Sequence, residues 1–88
     1  MTDISTIYST QNKELAKELR RQANRVISDE RTHREHPSMI NKTLGRDHLS
    51  RLNGAVELVN VVFLGRLDDT GIWATVQQAR DAAATWLP

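Results

Sequence analysis

The chain contains no cysteine among its 88 residues, which excludes disulfide cross-links and thiolate metal sites. It has only two prolines and four glycines, so few positions carry a strong turn signal. A domain of this length buries only about 60% of the surface that its unfolded chain exposes, so it is marginal by itself. Such domains gain stability from close helix packing, a metal or association. We expect one helical domain over residues 1–88.

Long apolar runs are also absent. The longest, at residues 61–64, is far too short to cross a bilayer. The first residues carry neither the basic segment nor the apolar segment of a secretory signal. We therefore expect a cytoplasmic protein that has no membrane partner.

Hydrophobic periodicity predicts an all-α fold in which three helices pack together. The predicted helices span residues 12–35, 47–64 and 71–86, and residues 36–46 form a connector. The first segment is rich in residues of high helix propensity, and either Thr10 or Asn12 suits the N-cap position. Pro37 disfavours helical backbone at the residue before it, so the first helix is expected to stop there. A short helical turn capped by Ser38 fits the connector, and Gly65 suits the position after the second helix.

The second predicted helix is the most apolar segment of the chain. One row of apolar residues, which we call the seam, follows the 3, 4, 3, 4 spacing of packed helices: Leu49, Leu52, Val56, Val59 and Phe63. A second apolar row lies beside it: Ala55, Leu58 and Val62. A helix that is apolar on most sides must be buried on most sides. We therefore predict that this helix is central and that the seam is a homodimer interface.

A polar stripe accompanies the seam at the same helical spacing: Ser50, Asn53, Glu57 and Asn60. It is either the exposed side of the helix or a buried network. Burial would require a partner for every group, because an unpaired buried polar group costs roughly 1–3 kcal/mol. We favour exposure, since one polar stripe is the usual pattern of a surface helix.

Residues with catalytic or metal-binding chemistry are sparse. The sequence contains no nucleophile motif and no glycine-rich phosphate loop. Glu30, His33 and His36 recur three residues apart, so on a helix they would lie on one face. Imidazole and carboxylate suit zinc or iron, but di-iron helical proteins use two such Glu-x-x-His units with further glutamates. We expect no enzyme activity, metal or cofactor.

A protein-interaction module is therefore the function we expect: a regulator, adaptor or inhibitor that binds a larger protein, of the kind that mobile elements also encode. A basic face on the first helix predicts an electrostatically steered contact surface. Tryptophan is enriched in interface hot spots, which makes a tryptophan near the C-terminus a candidate anchor. The predicted contact residues are Lys13, Lys17, Arg20, Arg21, Arg25, Arg46 and Trp86.

The alternative is a dimeric DNA-binding regulator. Residues 38–53 are compatible with a degenerate helix-turn-helix unit whose turn lies at Gly45. Its second helix would carry side chains suited to base edges and phosphates: Arg46, His48, Ser50, Arg51 and Asn53. The net charge of +1 is low for a strong nucleic-acid binder, so DNA binding ranks second.

Overall fold

The computed structural model describes residues 4–87, with side chains from Thr10 onward. It contains three packed helices over that range: α1 (Ile4–Glu35), α2 (Met39–Phe63) and α3 (Ile72–Ala84). The prediction of three packed helices is confirmed. None of these helices is both long enough and apolar enough to span a membrane.

Helix α1 begins eight residues earlier than residue 12, at Ile4, because Asn12 does not cap it. The Asn12 side chain instead holds the α2–α3 loop. Its Nδ2 donates to the carbonyl of Arg66 at 2.8 Å, and its Oδ1 accepts from the backbone N–H of Asp68 at 2.7 Å. Asn12 is buried, and the contact joins residues more than 50 positions apart. Its apparent capping role was therefore a misinterpretation of a tertiary contact.

Helix α2 also begins earlier than predicted. Ser38 caps it, since its Oγ accepts a hydrogen bond from the backbone N–H of Asn41 at 3.0 Å. The helix then continues without a turn through Gly45, so most of the predicted connector is helical and the predicted start at residue 47 is wrong. Gly45 is buried where a Cβ atom would collide with the Trp86 indole. A glycine that resembled a turn signal is therefore a site of close helix packing.

The central helix is α1, not α2. Helix α1 packs along both α2 and α3, whereas α2 and α3 have few residues in contact with each other. The buried side of α1 combines apolar and small residues, including Ala16, Leu19 and Ala23, which allow two helices to approach closely. The prediction that the most apolar helix lies in the middle is therefore wrong, because the longest helix reaches both of the others.

The seam of α2 lies in the core of the single chain. Leu52 and Val59 are fully buried, Val56 and Phe63 are buried, and Leu49 is half-buried. Most of the seam belongs to the same apolar cluster as residues of α1 and α3. The seam is therefore not available as the predicted dimer interface, because α1 and α3 already cover it.

Another side of α2 remains uncovered, and we call it the outer face. It consists of residues that recur at helical spacing and are exposed in the structure: Ile40, Leu44, Asp47, Arg51, Gly54 and Leu58. Beyond it toward the end of α2, Val61, Val62 and Leu64 are also exposed. Gly65 follows the helix with a φ of 78°, as predicted, and Leu64 shares its left-handed conformation with a φ of 53°.

Candidate protein-binding site

An open groove of about 490 Å³ separates α2 from α3 near the C-terminal end of α3. It remains open because both helices pack on α1 rather than on each other. Helix α2 contributes four lining residues, α3 contributes three, and the segment after α3 contributes one: Arg46, Leu49, Ser50, Asn53, Arg80, Ala83, Ala84 and Leu87. A groove of this volume matches the usual range for ligand sites.

Helical spacing explains the α2 side of the groove. Arg46, Ser50 and Asn53 recur at intervals of four and three residues, so their side chains lie on one side of the helix. Arg80 on α3 is half-buried, and its Nε donates to Asn53 Oδ1 across the groove at 3.2 Å. The groove therefore has a polar bridge between its walls, beside an apolar surface.

The electrostatics of the groove favour an anion. The Arg46 side chain is exposed and makes no hydrogen bond or ion pair with any residue that the structure describes. Arg80 bonds a neutral amide through one of its five N–H donors, which leaves other donors free. None of the described residues that line the groove is acidic. Half-buried Leu49 and exposed Ala84 add apolar surface beside the two guanidinium groups, and Leu87 is buried beneath them.

The predicted basic face of α1 does not act as one surface. Arg20 turns toward the start of α3, where its Nε and Nη2 bond both carboxylate oxygens of Asp69 at 2.8 and 2.6 Å, and its Nη1 donates to Thr75 Oγ1 at 3.3 Å. The hydrogen bonds between the two raise the pKa of Arg20 and lower that of Asp69. Arg20 therefore joins α1 to the segment before α3 and is not a free contact residue.

The remaining cations of α1 are solvated. Arg21 donates two hydrogen bonds to the Glu18 carboxylate, and Gln22 donates a third. These bonds lower the Glu18 pKa to about 2. Lys17 lies 3.6 Å from the Glu14 carboxylate. Together with Lys13 and Arg25, these side chains lie on α1, which does not line the groove.

The candidate anchor Trp86 is half-buried inside the chain. Its ring stacks on His33 with 4.5 Å between the ring centroids, and it packs against Gly45. Trp86 therefore fixes the end of α3 against α1 and α2, and the prediction of an exposed anchor is wrong. Of the predicted contact residues, the structure places only Arg46 in the groove.

The structure also separates the residues of the predicted helix-turn-helix. Arg46, Ser50 and Asn53 line the groove, but the Nδ1 of His48 lies 2.6 Å from Asp29 Oδ2 on α1. Arg51 pairs with Asp47 on the outer face at 3.1 Å. Because α2 is continuous through position 45, the turn that this unit requires does not exist.

Sequence reasoning did not assign the other wall of the groove, including Arg80, Ala83 and Leu87, to a binding site. Helical periodicity places Ala83 and Leu87 on the apolar stripe of the third helix, but their position in a groove depends on α2 lying beside α3. The polar stripe gave a partial signal. All four of its residues are exposed, as we favoured, and two of them, Ser50 and Asn53, line the groove.

The histidine and acid residues near the end of α1 do not assemble into a metal site. Within residues 4–87, no group of three histidine, aspartate or glutamate side chains is placed to share an ion. His33 stacks on Trp86, and His36 is exposed.

No protein-family model matches this chain, and comparisons with curated proteins and with solved structures give no match either. The groove and the outer face of α2 are therefore the basis for inferring function.

Proposed function

We propose that this chain is a cytoplasmic, non-enzymatic protein-interaction module that forms a homodimer and binds a larger protein through the groove between α2 and α3. The observation that carries the proposal is the pairing of two arginines, Arg46 and Arg80, with an adjoining apolar surface. Among the residues that the structure describes, no acidic side chain lines that surface to neutralise them.

The chemistry of the groove indicates an acidic amphipathic segment as the part of the partner that binds. Arginine presents a planar fork of donors that matches a carboxylate, and its charge-assisted hydrogen bonds are about twice as strong as neutral ones. A leucine or similar side chain one helical turn from that carboxylate would cover Leu49 and Ala84. The partner would therefore be recognised by one acid and one apolar group at helical spacing.

Homodimer formation is supported by the amount of apolar side chain that the single chain leaves exposed on one helix. Ile40 is 73% exposed, Leu58 51% and Val61 75%. These residues lie in two groups near the two ends of α2, and exposed apolar groups of this kind often mark interaction sites. A second copy would cover these residues and supply the stability that a domain of this length lacks.

The groove can be tested with a fluorescein-labelled helical peptide that carries glutamates and leucines four residues apart, and with a matched peptide in which every glutamate is glutamine. We expect fluorescence anisotropy to show binding of the acidic peptide only. Arg46→Glu should weaken it about tenfold or more, since a like charge replaces a charge-assisted bond. Arg31→Glu is the matched control, because Arg31 is exposed on α1 and lies outside the groove.

Three outcomes would contradict the groove as the binding site. They are equal binding of the two peptides, no binding of the acidic peptide, and an equal loss of binding in the Arg46 and Arg31 variants. A duplex DNA probe tests the alternative in the same assay. The partner would be a nucleic acid and not a protein if the chain bound DNA with a steep salt dependence and did not bind the peptide. Arg46→Glu would then abolish the DNA binding.

A further inference from the structure

The outer face of α2 has the residue spacing of a coiled-coil surface. Its six residues, Ile40, Leu44, Asp47, Arg51, Gly54 and Leu58, follow one another at intervals of 4, 3, 4, 3 and 4 residues. This mean spacing of 3.5 residues keeps them on one side of a helix that packs along another helix. The three apolar members are 73%, 48% and 51% exposed in chain order, so no side chain from Thr10 to Leu87 covers this side.

Gly54 is the one member whose presence the single chain does not explain. It lies in the interior of α2, where glycine is among the poorest helix formers. A Cβ atom at this position would meet nothing within 4 Å, in contrast to Gly45, where Trp86 fills the space. The open space at Gly54 is therefore a recess on the surface that a side chain from outside can enter.

The order of the six residues is self-complementary. The pairs Ile40 with Leu58, Leu44 with Gly54, and Asp47 with Arg51 share one midpoint, at position 49. Around that midpoint, an apolar residue is matched with an apolar residue, a large residue with the recess, and an acid with a base. An antiparallel copy would bring all three pairs together twice, once on each side of a two-fold axis.

We propose that two copies of this chain pack antiparallel along their outer faces, about a two-fold axis level with position 49. This inference rests on the proposed homodimer and specifies its interface and register. In this register, Leu44 of each copy enters the recess at Gly54 of the other, and Ile40 covers Leu58. The Asp47 carboxylate of each copy lies beside the Arg51 guanidinium of the other.

The charged residues of the outer face favour an antiparallel over a parallel arrangement of the two helices. Within one copy, Arg51 Nε lies 3.1 Å from Asp47 Oδ2, and both side chains are more than half exposed, at 61% and 52%. In the antiparallel dimer these pairs join into a network of four alternating charges, with each acid between two bases. A parallel dimer in register would instead set Asp47 against Asp47 and Gly54 against Gly54, which combines like-charge repulsion with an empty space.

The ends of the interface fit the same register. Val61 is 75% exposed, and the register brings it level with Pro37 of the other copy, where the exposed turn before α2 lies. The groove residues Arg46 and Asn53 project from a different side of α2. The dimer therefore leaves the groove of each copy open to a partner.

Charge reversal tests the interface. Multi-angle light scattering and sedimentation should show that Asp47→Arg and Arg51→Asp each raise the dimer Kd about tenfold or more, because each creates two like-charge contacts. The double variant that carries both changes should restore the wild-type Kd. Lys17→Glu is the matched control, since Lys17 and Glu14 form an exposed pair on α1, away from the outer face. Circular dichroism checks that each variant is folded.

Cysteine cross-linking tests the register, because the natural chain has no cysteine to interfere. A mixture of Leu44→Cys and Gly54→Cys proteins should form a disulfide-linked heterodimer under mild oxidation, and neither variant should form one alone. In the antiparallel register, identical positions 44 lie about 15 Å apart along the axis, which is beyond the reach of a disulfide.

Each result supports the register or contradicts it. Cross-linked Leu44→Cys homodimers would show a parallel arrangement. A dimer without the mixed cross-link, or with both charge reversals tolerated, would show that two copies meet elsewhere, and would leave the proposed homodimer intact. A monomer at every concentration would overturn both, and peptide binding in the groove is measured independently of all these outcomes.

Discussion

Helix α2 has an inner side, which carries the seam, and an outer side, which carries the outer face and Val61. Both sides contain large apolar residues, but these residues differ in how far they are buried. Val59 on the inner side is fully buried, whereas Val61, two positions later, is 75% exposed. The inner side packs in the apolar core with α1 and α3, and none of the side chains that the structure describes covers the outer side. Apolar content therefore shows that a helix needs partners, but the partner for each side depends on where the neighbouring helices lie.

The largest difference between the two sides should appear when a charge is introduced into each. Val59→Asp places an unpaired carboxylate in the core, and we expect a loss of about 3 kcal/mol or more in unfolding free energy, enough to unfold so small a domain. Val61→Asp should change it by less than about 0.5 kcal/mol. Urea denaturation followed by circular dichroism measures both at concentrations below the dimer Kd. Equal losses of unfolding free energy in the two variants would contradict the difference in burial between the two sides.

A smaller effect is expected at Gly45 on the inner side. Gly45→Ala adds a methyl group where the Trp86 indole lies, so Trp86 must move and lose its stacking on His33. We expect a loss of about 1–3 kcal/mol, the usual range for overpacking. The near-ultraviolet circular dichroism of tryptophan should change as well. An unchanged spectrum with unchanged stability would show that Trp86 does not pack against α2.

The ion pair between Arg20 and Asp69 joins α1 to the segment before α3, and it should make the stability of the fold depend on pH. Hydrogen bonds from Arg20 hold the folded-state pKa of Asp69 below its ordinary value of 3.8. The stabilisation from this carboxylate is therefore fully present above about pH 4 and is lost as the pH falls through the lowered pKa. Asp69→Asn should lower the Tm at neutral pH. The difference in Tm between this variant and the wild type should become smaller at acidic pH.

Asp47→Asn on the outer face is the matched comparison for Asp69→Asn. Asp47 and Arg51 form a solvated pair one helical turn apart, and such pairs contribute only a few tenths of a kcal/mol. We expect a smaller change of Tm at neutral pH, measured below the dimer Kd. A larger effect at Asp47 than at Asp69 would contradict the structural role that we assign to Arg20.

The smallest expected change is a gain of stability at Gly54. Gly54→Ala adds a methyl group in open space and removes a poor helix former, so the unfolding free energy of the monomer should rise by about 0.5–1 kcal/mol. The unfolding free energy should fall for Gly45→Ala and rise for Gly54→Ala, and this difference in sign gives the sharpest comparison of the two sides. Destabilisation by Gly54→Ala, measured by urea denaturation of the monomer, would show that this position is already packed.

Several elements of the fold could be predicted because local chemistry determines them. Periodic apolar residues gave three helices, Ser38 was recognised as a cap, and Gly65 was placed after α2. The start of α2 was predicted wrongly because glycine has two uses. At position 45 it resembled a turn, but the structure uses its missing side chain to admit Trp86 from a distant part of the chain.

The candidate site was less predictable than the fold. Arg46 was named from its charge alone, and it does line the groove. Arg20 has the same charge and the same helical setting as its neighbours, yet it pairs with Asp69, 49 residues away. Charge indicates what a side chain can bind. The arrangement of the helices decides which cations remain free to do so.

The sequence by itself determined the helical class of this protein, the Ser38 cap, the ends of α1 and α2, and the amount of apolar surface on α2. These follow from propensity, periodicity and hydrogen bonding within a few residues. Only the tertiary structure decided that α1 is central, that the seam is buried within one chain, and that a groove opens between α2 and α3. The physical reason is that packing joins residues far apart in sequence, and no local pattern records which side of a helix its neighbours cover.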